Sequence, residues 1–276
     1  MESKIAAALH SPLDPVALVW SDRKPDDTAQ FQAGRWGCIM WLLAGAAKGK
    51  TAAVDRNTFG CFGGGVGMGF GNLYEAFPGG GETFCRFLSV GIGGWEKEDL
   101  VSSLAKPAMR PEAFDQLLHG ERYLKSPRQV RRFLDNLPMT DITAPFVVFR
   151  PLPQVEPDSP PPEVVVFFAD PDRLSALVVL ANYGRDSNES VIIPFAAGCQ
   201  AVGIYPYREA KSEHPRAVVG LTDISARLHV KRILGDGLMT FAVPWRMFLE
   251  MEANVSGSFL ERHVWQELIG GNPPRS

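Results

Sequence analysis

The chain has 276 residues, a net charge of −3 and a sequence pI of about 6.0, so its bulk charge points neither to nucleic acid nor to an anionic lipid surface. Hydrophobic residues make up 45% and charged residues 21%, the balance of a globular protein and not of a disordered or fibrous one. No stretch approaches the ~20 apolar residues of a membrane span, and the first ten residues carry Glu2 and Lys4 instead of a signal-peptide pattern, so a cytoplasmic location without a membrane partner is expected.

The elements are taken in chain order. Residues 16–20 form an apolar run after Pro15 and predict a buried strand. Residues 22–33 are polar and loop-like, and 36–47 mix apolar with small residues, as a buried helix does. A short strand and then the glycine-rich run 60–81 follow, the latter predicted as turns with close backbone packing. Pro111 and Gly120 bracket a helix over 112–119, with His119 at its end. Ser126 and Pro127 read as N-cap and first helical residue. Val130, Phe133, Leu134 and Leu137 then fall at helical spacing and should be buried, while Arg128, Arg131 and Arg132 form a solvated face.

The second half opens with two strands rich in β-branched and aromatic residues, 146–149 and 164–168. Asp170 and Pro171 start a helix with Leu174, Leu177, Val178 and Ala181 inward, ending at Gly184. Further strands are predicted at 191–193, 202–205, 217–220 and 239–243, with a helix carrying Ile224, Leu228 and Ile233 before the last. Residues 244–252 and 259–268 read as closing helices. A strand followed by a capped helix is the unit of a sheet covered by helices, so the expected fold class is α/β, mixed sheet with covering helices. The chain is read as a single α/β region, 1–276, with a sub-boundary in the proline-rich segment 151–163, where Pro160, Pro161 and Pro162 exclude helix. Two repeated βαβ-like halves are expected. Strand, apolar helix, short strand and the Gly60-Cys61 turn match strand, apolar helix, short strand and the Gly198-Cys199 turn.

These residues also carry a family likeness. Cys38-Ile39-Met40 with Ala44 and Gly49, then Cys61-Phe62-Gly63-Gly64 with Gly67, Gly69 and Phe70, then Gly120-Glu121-Arg122-Tyr123, resemble the domain-of-unknown-function 169 family. So do Arg150-Pro151-Leu152, Pro162-Glu163-Val164-Val165, Ala169-Asp170-Pro171, Ala197-Gly198-Cys199 and Ser225-Ala226-Arg227, the likeness running over roughly residues 12–252. The resemblance implies a prokaryotic protein of a family frequent in anaerobes, and brings no reaction with it. It implies that Cys38, Cys61 and Cys199 stand at the family's usual cysteine positions. Cys85 falls in a glycine-rich insertion, and the later Gly-Cys turn of many members is replaced here by Gly220-Leu221-Thr222-Asp223.

Four cysteines, Cys38, Cys61, Cys85 and Cys199, are the number of thiolates that a [4Fe–4S] cluster takes. Three follow glycine directly, which leaves room for a bulky cluster; Gly60, Gly63, Gly64 and Gly198 are the residues expected to line it. The spacings include no C-x-x-C pair, which ranks structural zinc last, and four inert buried thiols remain the alternative. The run Gly63 to Gly69 lacks both a complete dinucleotide fingerprint and a Walker lysine. The five histidines form no ligand pair, and no Gly-x-Ser-x-Gly or His-Glu-x-x-His occurs, so hydrolase chemistry lacks a basis. Arg227, with Asp223, Tyr205, Tyr207 and Arg208, lies beyond strand ends, where open α/β sheets hold ligands. Two readings follow: an iron–sulfur protein with a redox or small-metabolite-binding role and a redox partner, or a cofactor-free small-molecule-binding module with inert cysteines. Whether it is an enzyme stays open, and homo-oligomers are compatible with either.

Overall fold

The computed structural model describes residues 1–95 and 111–270. The chain divides into two compact units, one of residues 1–70 and 142–276, the other of residues 71–141.

The first unit is built on an open seven-stranded sheet in the order β2-β3-β1-β4-β7-β6-β5, where β1 is Val16–Ser21, β2 Ala52–Asp55, β3 Phe146–Pro151, β4 Val164–Ala169, β5 Val191–Ile192, β6 Ala217–Gly220 and β7 Met239–Pro244. Only β5 and β6 pair in parallel; the other pairs are antiparallel. Helices cover both faces, so β4, buried along its whole length, reads Val-Val-Val-Phe-Phe-Ala without polar alternation. On one face Val165, Phe167, Val219, Phe241 and Val243 pack against α1 (Lys4–Ala8), α7 (Pro171–Asn182), α11 (Trp245–Ala253) and α12 (His263–Gly270). The opposite face carries α2 (Ile39–Ala46), α3 (Phe62–Gly67), α8 (Gly198–Val202), α9 (Ile204–Glu209) and α10 (Ile224–Leu234). The proline-rich segment 151–163 joins β3 to β4 inside this unit.

The strand order is a palindrome about the central antiparallel β1–β4 pair. Reading outward, β1-β3-β2 mirrors β4-β7-β6, and the registers agree. Val16 faces Pro151 as Val164 faces Pro244, and Ala52 faces Phe149 as Val218 faces Ala242. The halves are therefore related by a local two-fold axis through the β1–β4 pair. This bears out a repeat, but corrects its alignment. The helix that enters β2 begins at Cys38, and the broken helix that enters β6 begins around Cys199, so these two correspond, and Cys61 does not match Cys199.

The second unit is helical: a 3-10 turn at Leu73–Ala76, α4 (Gly80–Phe87), α5 (Pro111–His119) and α6 (Pro127–Asp135). Stacked and edge-on contacts among Tyr74, Phe77, Phe84 and Phe87 form its apolar centre. In α6 the Ser126 cap and Pro127 are as expected, and Val130, Leu134 and Leu137 are buried. Phe133 is only half-buried, which corrects its place on the inner face. Arg131, still partly exposed, bonds Glu75 at 2.7 Å.

Other differences have local causes. The run 60–81 contains a helix, α3, because its glycines let that helix approach a neighbouring backbone. Residues 202–205 are not a strand. They straddle the break between α8 and α9 at Gly203, and Val202 and Ile204 are buried against the sheet, so packing overrides their β preference. Residues 259–268 split into a 3-10 turn, Phe259–Glu261, and α12. Among the described residues no helix is long and apolar enough to cross a membrane.

The link from α9 to β6 is held by a largely buried carboxylate. Glu209 accepts hydrogen bonds from Arg216 Nε at 3.1 Å and Nη2 at 2.9 Å. Burial pushes its carboxyl up, but the Arg216 hydrogen bonds and charge, with the Arg208 charge, outweigh burial and hold it below the usual range. Its contribution to stability is therefore present at neutral pH and is lost as the pH falls below about 4.3 and on through the lower folded-state value. Arg216→Ala should cost about 1–3 kcal/mol at pH 7, because a buried carboxylate loses its partner, and less near pH 3. Urea denaturation at the two pH values measures this; an equal cost at both would show that Glu209 is not the source.

A candidate cysteine centre at four helix starts

Three of the four cysteines occupy the starts of helices on one face of the sheet. Cys38 is the N-cap of α2, in extended conformation. Cys61 is the N-cap of α3, and its Sγ accepts a hydrogen bond from the Gly64 N–H at 3.3 Å. Cys199 is the second residue of α8, and its thiol donates to the Gly63 carbonyl at 3.0 Å. A fourth helix start lies beside them. Asp223 caps α10, its Oδ1 accepting from the Ser225 N–H at 3.0 Å, the Ala226 N–H at 3.2 Å and the Ser225 hydroxyl at 2.8 Å. Its Oδ2 reaches the Gly198 N–H at 3.4 Å.

Glycine makes this proximity possible. Gly60, at φ +75°, sits so close to the other cysteine turn that a Cβ there would lie 2.3 Å from the Gly37 carbonyl oxygen. Where α3 crosses α8, a Cβ on Gly67 would lie 2.7 Å from the Cys199 carbonyl carbon. The two backbones touch without intervening side chains, and so Cys199 can reach the first turn of α3. Gly198 packs against Ala226 and Met40, at the base of α10 and α2.

The thiols share one electrostatic neighbourhood. Burial, then the Cys61 charge, raises the Cys38 thiol to about 12, with Asp223 adding to the effect. Burial pushes the Cys199 thiol well up, followed by the charges of Cys61, Cys38 and Asp223. Both are neutral thiols at pH 7 in the metal-free protein.

Cys85 is the fourth cysteine. It belongs to the second unit, is buried within α4, and its thiol is raised by burial, while the charges acting on it come from Arg131, Glu75, Asp135 and Glu82 of that unit. The expectation of four cysteines gathered on one centre is not met. Among the described residues, no group of three or more His, Cys, Asp or Glu side chains is arranged to hold a metal ion.

Gly60, Gly63, Gly64 and Gly198 adjoin the cysteines as expected. Arg227 is tied instead to the Leu221 and Leu238 carbonyls, at 3.3 and 3.4 Å, and lines a small depression of about 230 Å³ with Ile224, Leu228 and Lys231. Of the looser set, Tyr205 packs under Arg208 and Tyr207 against Trp20 and Lys211. Sequence reasoning missed the trio of Trp36, Trp41 and His229, whose rings meet at 4.9–5.7 Å beside the start of α2. It also treated Asp223 as one loose polar residue; the Asp-x-Ser pattern after a short strand was the available sign of a cap.

A profile of the family described as Uncharacterised ArCR, domain of unknown function 169, matches residues 4–254. No curated protein and no solved structure gives a significant match to the chain.

Two outcomes test this geometry. Gly67→Ala should destabilise the protein by about 1–3 kcal/mol, since the methyl group meets backbone and not a side chain that can move; denaturant unfolding checks it. Iodoacetamide mapping by mass spectrometry at pH 8 should find Cys38 labelled roughly a thousandfold more slowly in native, metal-free protein than in unfolded chain, given a thiol near 12 against an ordinary one near 8.5–9.

Proposed function

We propose that in this chain, which belongs to the Uncharacterised ArCR family, domain of unknown function 169, function resides in the cysteine turns and that Cys38, Cys61 and Cys199 bind an iron–sulfur cluster. One observation carries this reading: three cysteines far apart in sequence start three helices on one sheet face, within range of one another's charge. Inert core cysteines have no need to meet in this way.

The wide sequence spacings, without a C-x-x-C pair, are the ground for preferring a cluster to structural zinc. Thiolates on a polynuclear cluster lie farther apart than those on one ion, roughly 6–7 Å by the bond lengths involved. Such a cluster supplies one-electron chemistry or Lewis-acid binding of a small metabolite. The chain's own part is to present thiols from glycine-built turns and to exclude water around them. Cys38, Cys61 and Cys199 would hold such a group as thiolates, so binding would release their thiol protons and with them the Cys199–Gly63 hydrogen bond, while the Gly64 N–H could go on donating to the Cys61 sulfur.

Anaerobic reconstitution with iron and sulfide is the test. A brown protein with sulfur-to-iron charge-transfer absorption and about four irons per chain is expected. Changing any of Cys38, Cys61 or Cys199 to Ser should remove most of that absorption while leaving the circular dichroism of the fold. Uptake should be weaker at pH 6 than at pH 8, because the ligands must shed protons. Folded wild-type protein that takes up no iron under these conditions would sink the reading.

A further inference from the structure

The depression beside α10 has the makings of a site that does not depend on what the cysteine turns hold. Helix α10 buries Ala226 and Val230 and turns its other side outward, where Ile224 and Leu228, one helical turn apart, remain 63% and 48% exposed. A surface helix ordinarily gives that side to polar residues, as α10 itself does farther along with Lys231 and Arg232. The two aliphatic side chains line the depression of about 230 Å³ together with Leu238, from the turn that follows the helix.

Arg227 stands in the same wall. The fold uses only its Nη1, which donates to the Leu221 and Leu238 carbonyls and lies 2.7 Å from the Met239 sulfur. Among the described residues, Nε and Nη2 donate to nothing. The other cation of the depression, Lys231, is taken by Asp236 at 2.6 Å, and that pairing also offsets the acidic side chain that would repel an anion. A guanidinium offers its free N–H groups as a planar fork that fits the two oxygens of a carboxylate. A dianionic phosphate would need more positive charge than one free guanidinium supplies, and a wholly apolar molecule would leave the fork unpaired.

We propose that this depression binds a monocarboxylic acid with a short aliphatic tail, its carboxylate on Nε and Nη2 of Arg227 and its tail along Ile224, Leu228 and Leu238. Benzene fills an engineered cavity of about 150 Å³. By that measure about 230 Å³ takes a ligand of roughly nine non-hydrogen atoms.

Nuclear magnetic resonance of the isoleucine and leucine methyl groups, in the whole chain titrated with hexanoate, hexan-1-ol or acetate, tests the site. Hexanoate should move the Ile224 and Leu228 methyl signals saturably and bind at least about tenfold more tightly than hexan-1-ol or acetate, each of which lacks one half of the ligand. Arg227→Gln should weaken hexanoate about 10–100-fold, the loss of hydrogen bonds between charged partners, and leave hexan-1-ol unchanged. Leu228→Ser, at an exposed position that the fold does not need, should weaken hexanoate severalfold and leave acetate unchanged. Equal binding of hexanoate and either control, shifts that never saturate, or unchanged hexanoate binding in an Arg227→Gln protein that melts like wild type would overturn the site. If Arg227→Gln melts far below wild type, the three ligands and Leu228→Ser decide, and unchanged hexanoate binding in Leu228→Ser is then the overturning result.

Discussion

The contact between two bare backbones, where α3 crosses α8, governs the arrangement of everything near the cysteines. Gly67 lies against the Cys199 carbonyl, and a Cβ on Gly203 would come within 2.0 Å of the Gly67 carbonyl oxygen. The indole N–H of Trp20, on β1, donates to the Met68 carbonyl at 2.9 Å and fixes the end of α3 from the sheet side. With α3 clamped between β1 and α8, Cys61 and Cys199 come together although half the chain separates them. A side chain at either glycine would hold the helices apart and dissolve the neighbourhood.

The local two-fold axis explains why such a clamp recurs. Duplicate three-stranded halves joined at β1 and β4 place two incoming and two outgoing helices around one axis. Four helix starts then meet by symmetry, without a sequence motif to announce them. The repeat is not uniform: β5 adds a parallel strand at one edge only, and residues 71–141 are inserted between α3 and β3 in the first half alone. Insertions of this kind hide a repeat from sequence comparison because they shift the spacing without altering the register of the paired strands.

Electrostatics at the starts work in one direction. Burial withholds water from the thiols, and each would-be thiolate raises its neighbours, with Asp223 adding a further negative charge. Cys38 and Cys199 are thus held as neutral thiols. A cation or cluster would relieve both effects at once, because it supplies the positive charge that burial and neighbouring anions otherwise leave missing. Cys85 sits in a helix of the aromatic unit, where burial raises its thiol and the Arg131 charge acts against that.

Local pattern carried the reading a long way. The strands at residues 16–20, 146–149, 164–168, 217–220 and 239–243 were legible because β-branched runs buried on both faces leave an unbroken apolar signature. Ser126-Pro127 and Asp170-Pro171 marked helix starts because capping is a matter of adjacent residues. Cys38, Cys61 and Cys199 were singled out because glycine precedes each one. The sequence by itself therefore determined the α/β class and the family, both of which depend on residues close together along the chain. Only the tertiary structure decided that Cys85 belongs to a separate unit, that Phe133 is only partly buried, and that residues 202–205 straddle a break between two helices. Those outcomes depend on which strands become neighbours and which backbones touch, and long-range contacts of that kind leave no periodic trace in the residues that make them.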